Sequence, residues 1–112
     1  MTVTAVEGFV ASGLSCGIKS SGRPDLAMVA TVDSSPVTAA GVFTSNRMTA
    51  APVQVCRDHL LVTGGRAAGV VLNSGNANAA TGAAGLADAE RMCEITAEAL
   101  GCSSEEVLVC ST

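Results

Sequence analysis

Ala67-Ala68-Gly69-Val70-Val71-Leu72-Asn73-Ser74-Gly75-Asn76-Ala77-Asn78, read with the stretch from Gly85 to Leu100, decides the fold class. The continuous apolar run from Ala67 to Leu72 has the pattern of a strand covered on both faces. It passes into a loop of asparagine, serine and glycine, side chains that bond back to the main chain. Beyond it Leu86, Ala89, Cys93, Ala97 and Leu100 recur at three- and four-residue steps, so they share one helical face. Glu90, Glu94 and Glu98 stack at i, i+4 on a solvated face, their repulsion partly offset by Arg91. Gly101 suits the residue just past the helix. Ser103 with Glu106 can cap a single turn, and Val107 to Cys110 reads as a further buried strand.

Upstream, Gly8 to Ile18 reads as a Gly-broken strand and turn. Ser20 to Asp25 is turn chemistry, with Pro24 fixing φ. Leu26 to Val32 and Val37 to Thr44 read as strands joined through Ser34-Ser35-Pro36, most simply a hairpin. Pro52 opens a helix through Leu61, since proline is tolerated in a first helical turn, and Gly64-Gly65 ends it. Strands and helices in this order indicate α/β or layered α+β architecture in a single domain over 1–112.

Composition sharpens this. Of the 112 residues 48% are apolar and 14% charged, well below the roughly 25% of an average soluble chain. Alanine (19) and valine (14) supply most of the apolar mass, against two Phe and no Tyr or Trp. With so little charge to cover the outside, part of the apolar surface is expected to meet another chain segment. The net charge of −4 and scattered basic residues exclude phosphate-driven nucleic-acid binding. No apolar run approaches the ~20 residues of a membrane helix, and the start lacks a secretory signal. The expectation is a cytoplasmic protein. The strand that runs into Ser111-Thr112 and stops predicts a truncated or processed segment, because more chain is needed to satisfy its main-chain groups.

Chemistry-bearing residues are few. Cys16, Cys56, Cys93, Cys102 and Cys110 contain no C-x-x-C pair, and the single His59 has only Cys56 nearby, so no metal and no cofactor is expected. Cys110 sits in an apolar run, which raises a thiol pKa and argues against a nucleophile. The glycines at 75, 82 and 85 fit neither G-x-G-x-x-G nor a lysine-bearing P-loop. That leaves Asn76, Asn78 and Thr81 as organisers of a tight strand-to-helix connection beside an active site, or as a plain connector. No Ser-His-Asp or Cys-His arrangement is present.

Four ordered stretches carry a resemblance. They are Gly17-Ile18-Lys19 with Gly22 and Asp25-Leu26-Ala27; Gly41-Val42-Phe43-Thr44-x-Asn46 with Ala50-Ala51-Pro52-Val53; Leu72 to Asn78 continuing through Ala79-x-Thr81-Gly82; and Glu105 to Thr112. Together they resemble the ornithine acetyltransferase (ArgJ) family of arginine biosynthesis.

The resemblance implies an αββα sandwich of which this chain is the N-terminal part of the α chain. It implies a self-cleaving precursor giving α and β chains, assembled as an α2β2 heterotetramer. A new N-terminal threonine carries acetyl from N-acetylornithine to glutamate by a ping-pong route, with its own amine as base. Use of acetyl-CoA separates bifunctional from monofunctional members. Thr112 matches the oxyanion-hole threonine of the family's Ser-Thr-Gly motif; the glycine after it, the nucleophile and the substrate-contacting residues fall outside the 112 residues. Asn73, Asn76 and Asn78 are expected in a loop near that site. The fragment alone is expected to be inactive. Two readings compete: a non-catalytic small-molecule binding module built on the Asn73 to Thr81 loop, and a self-processing amidohydrolase or peptidase of related architecture.

Overall fold

The computed structural model describes residues 2–112. Six strands, two α-helices and two short 3-10 turns follow one another: β1 (Phe9–Leu14), β2 (Leu26–Thr31), β3 (Val37–Thr38), α1 (Ala51–Val62), β4 (Arg66–Ala67), β5 (Gly69–Asn73), α2 (Gly82–Leu100) and β6 (Val107–Ser111), with turns at Val3–Ala5 and Ser104–Glu106. The main sheet has the order β1-β2-β5-β6, and β3 with β4 forms a separate two-stranded ladder. β1 and β2 are antiparallel, as are β2 and β5, while β5 and β6 run parallel across the α2 connection. The class is α+β.

Alternation along the strands puts one set of side chains against the helices. Val71, Val107 and Val109 meet Val55 and Cys56 of α1 and Ala89, Cys93 and Ala97 of α2 in one core, with Leu86 and Leu100 packed beside it. The small residues let helices and sheet approach closely: Ala89 and Cys93 have no exposed surface. The other set forms two cross-strand rows, Ala11-Val29-Val70-Leu108 and Gly13-Ala27-Leu72-Cys110. Members of these rows on β2 and β5 are half-buried and those on β1 are exposed. The described residues thus form a two-layer arrangement, helices on one face of the sheet and an apolar face on the other.

α2 ends as expected, with Gly101 in the left-handed region at φ 78°. Ser103 and Glu106 make the expected capping box, the Ser103 amide donating to the Glu106 carboxylate at 3.0 Å. Four expectations need correction. β2 and β3 do not form a hairpin: both edges of β2 are taken by β1 and β5, and β3 pairs with β4 instead. The second strand stops at Thr38 rather than Thr44; past Ala39 the chain is held by side chains, with Arg57 stacked over Phe43 and bonded to the Thr44 carbonyl. The run from Ala67 to Leu72 divides at Ala68, whose carbonyl takes the Thr31 amide at 2.9 Å and whose amide donates to Glu106 at 2.7 Å. It is covered on the helix side only, where Val71 and Asn73 are buried. Finally, α2 begins at Gly82, not Gly85, because Asn78 and Thr81 hold its first turn.

Candidate active-site edge

The strands β5 and β6 point the same way, so their C-terminal ends deliver Asn73 and Ser111 side by side in register. Both follow the alternation of Val71 and Val109 and face the helix layer. Thr112 comes one residue later and turns to the opposite side of the sheet. Its main chain is clamped on both sides: its amide donates to the Asn73 carbonyl at 3.1 Å, and its carbonyl accepts the Gly75 amide at 2.7 Å. The residue itself is exposed. A threonine so held presents its side chain from a backbone that cannot swing away.

The asparagines divide their work. Asn73 is buried and its side-chain amide donates to the Asn76 carbonyl at 3.1 Å, curling the loop back on the strand end. Asn78 donates to the Gly85 carbonyl at 2.7 Å and accepts the Thr81 hydroxyl, tying the loop to the first turn of α2. Gly85 has no room for a side chain here, since a Cβ would run into Asn78 and Thr81. Asn76 is exposed and contributes its main chain.

Two clefts flank this edge. One, of about 330 Å³, lies on the helix side and is lined by Asn73, Asn76, Asn78, Thr81, Asp88 and Ser111 among others. The second, of about 250 Å³, lies across the sheet end and is lined by Gly13, Pro24, Asp25, Ala27, Ser74 and Thr112 among others. Asn73 and Leu26 line both. The three expected asparagines thus share one cleft, Thr112 occupies its neighbour, and Asn73 stands between them.

Sequence reasoning quoted Asp25 and Ser111 within the family stretches but gave neither of them a role. Asp25 is buried at 3% exposure, and its carboxylate accepts the amides of Cys16 at 2.7 Å and Lys19 at 2.8 Å. Those donors hold its carboxyl down at about 2. In the sequence it stood at the end of a turn and inside the first of the four family stretches, and neither gave a hint of burial. Ser111 was read as part of the strand terminus and of the Ser-Thr-Gly match, with no function of its own.

The remaining titratable groups serve the fold. The Nδ1 of His59 is 2.8 Å from the Val107 carbonyl, which fixes α1 on β6. Burial pushes the Cys93 thiol up to about 12, and it raises Cys56, whose sulfur bonds to Val109. No group of three metal-ligating side chains occurs among the described residues, nor is any described helix long and apolar enough to cross a membrane.

Comparison with known proteins assigns this edge a lineage. The profile of the ArgJ family matches residues 10–112. The arginine biosynthesis bifunctional protein ArgJ of Streptomyces coelicolor is 50% identical over 113 residues, which is 100% of this chain and 28% of that protein. The protein of the same name from Thermosynechococcus vestitus is 50% identical over 98% of this chain and 26% of its own length. Two crystal structures superpose closely. One is the arginine biosynthesis bifunctional protein ArgJ from Bacillus halodurans, with a TM-score of 0.92 and 37% identity over 100% of this chain and 56% of that one. The other is the ornithine acetyltransferase from Mycobacterium tuberculosis complexed with ornithine, with a TM-score of 0.89 and 48% identity over 98% and 58%. The chain spans about a quarter of the length of the curated relatives it matches.

Proposed function

Because the chain belongs to the ArgJ family, we propose that it is the N-terminal part of the α chain of a cytoplasmic glutamate N-acetyltransferase. The whole enzyme moves acetyl from N-acetylornithine to glutamate, and in a bifunctional member also from acetyl-CoA. The observation that carries this reading is the match, at 48% identity and a TM-score of 0.89, to an ornithine acetyltransferase complexed with ornithine. Residues 1–112 form an incomplete domain. The rest of the α chain and the β chain complete it in an α2β2 assembly, and the apolar sheet face is where a second sheet of the αββα sandwich packs.

The chemistry follows from what each part supplies. A threonine at the start of the β chain attacks the acetyl carbonyl of N-acetylornithine, its own α-amine taking the proton. The tetrahedral oxyanion collapses to acetyl-threonine and releases ornithine; glutamate then attacks the ester and leaves acetylated. Each half passes through an oxyanion, and Thr112 donates its hydroxyl to it. A donor serves best when it is already aimed where charge develops. The paired main-chain bonds to Asn73 and Gly75 support that role, since they fix the backbone from which the hydroxyl projects.

The test is kinetic, on the full-length gene product. Wild type should acetylate glutamate from N-acetylornithine; transfer to water alone would favour an amidohydrolase instead. Thr112→Ala should lower kcat by about 10²-fold with a smaller change in KM, and Thr112→Ser should keep much of the rate. Near-normal turnover in Thr112→Ala, or acetyl transfer by residues 1–112 alone, would sink the assignment.

A further inference from the structure

We infer that Asp25 is a positioning residue, which sets Thr112 through the loop 15–24 and the main chain of Ser74 and Gly75; the catalytic part of this inference rests on the function proposed above. Every link is a contact. The Asp25 carboxylate gathers the Cys16 and Lys19 amides and so folds the loop after β1 into one conformation. The Lys19 ammonium closes the same loop on the Pro24 carbonyl at 3.2 Å, and the Gly22 amide donates to Lys19 at 3.1 Å. The Asp25 main chain is tied on both sides, its amide to Leu14 at 3.0 Å and its carbonyl to the Ser74 amide at 2.8 Å.

The loop so fixed lies against the residue that holds Thr112. Gly75 adopts φ +98°, and a Cβ on it would sit 2.8 Å from Lys19 Cγ and 3.3 Å from Ile18 Cγ2. The Lys19 stem and Ile18 therefore lie over the open side of Gly75, and the Gly75 amide is the group bonded to the Thr112 carbonyl at 2.7 Å. Asp25 also lines the cleft that contains Thr112, and Ile18 lines the neighbouring one. A buried carboxylate whose two oxygens each accept a main-chain amide is an anchor, because losing it leaves both amides without their partner. Displacing a positioned group by an ångström can cost up to about 10²-fold in rate.

The experiment uses the full-length gene product with Asp25→Asn, which keeps the shape but turns a donor towards one of the two amides, and with the double variant Ile18→Ala/Lys19→Ala, which strips the loop's contact with Gly75 and leaves the Gly75 backbone unstrained. Steady-state kinetics is paired with amide hydrogen exchange on peptides covering 14–22, 73–76, 86–100 and 107–112. For Asp25→Asn exchange should rise in 14–22, 73–76 and 107–112 while 86–100 stays protected. In both variants kcat should fall at least about tenfold with KM within about twofold. Faster exchange confined to 14–22, exchange raised equally in 86–100, or wild-type kcat in either variant would overturn the inference. If Asp25→Asn does not fold, the Ile18→Ala/Lys19→Ala variant decides it by the same readouts. A wild type without acetyl transfer would remove the proposed function alone, and the exchange pattern would still show whether Asp25 controls the Thr112 backbone.

Discussion

Asn78 reaches across the first turn of α2 to donate its side-chain amide to the Gly85 carbonyl at 2.7 Å. It fastens the loop that follows β5 to the helix lining the same cleft, and Thr81 adds its hydroxyl to the Asn78 oxygen.

Asn78→Ala removes both attachments from a helix start where neither Thr81 nor an acidic residue caps the first turn. In the full-length protein it should cost about 1 kcal/mol of stability and lower turnover while leaving the protein soluble. Chemical unfolding and kinetics on the same preparation check it. Unchanged turnover reduces the loop to a connector.

Acid should destabilise the fold in large part through Asp25. Its carboxyl is held down at about 2, chiefly by the amides of Cys16 and Lys19. A group whose folded pKa lies below its unfolded value of about 3.9 stabilises the fold above that pH, and the contribution disappears as pH falls towards 2. Asp33 is also lowered, by the Ser35 amide, and adds a slope of the same sign. Urea midpoints measured from pH 5 to 2 should therefore fall steeply in wild type and less steeply in Asp25→Asn. Parallel curves would contradict this.

The core should reject added volume. Ala89 has no exposed surface and packs among Val55, Cys93 and Val107. Ala89→Leu should cost about 1–3 kcal/mol by overpacking, whereas Ala87→Leu on the exposed face of the same helix should stay within about 0.5 kcal/mol. Comparing the two unfolding midpoints checks it, and equal effects would mean that the helix does not pack as described.

The five cysteines are unpaired, and their reactivities should separate. Cys16 is exposed, although the neighbouring Asp25 carboxylate raises its pKa. Cys93 has no exposed surface and is pushed up to about 12. Alkylation at pH 8 followed by peptide mass spectrometry should label Cys16 early and Cys93 only after unfolding. Comparable rates at the two sites would refute the burial of α2.

How far the sequence spoke depended on whether the information was local. The face formed by Ala89, Cys93 and Ala97 was legible because helical periodicity is written in neighbouring residues. So were the glycine that ends α2 and the Ser103–Glu106 cap. The β2–β3 hairpin was misread because a short polar turn says nothing of which strands already occupy an edge, and β5, distant in the chain, had taken that of Leu26 to Ala30. Thr112 was singled out through the family motif and Asn76 and Asn78 through the composition of their loop, yet the placing of Asn73 and Thr112 on opposite faces of the sheet follows from strand register. Asp25 was hidden for a different reason: its partners are main-chain amides, and any residues at 16 and 19 would carry them.

The two rows Ala11-Val29-Val70-Leu108 and Gly13-Ala27-Leu72-Cys110 also bear on how the molecule must be handled. They make an apolar panel four strands wide, bounded by β1 and β6 at the sheet's outer edges. With only 14% of its residues charged, the chain has few charges with which to interrupt such a surface. Expressed by itself, the segment leaves this panel and the outer edges of β1 and β6 uncovered, so copies are expected to associate through them and precipitation to compete with folding.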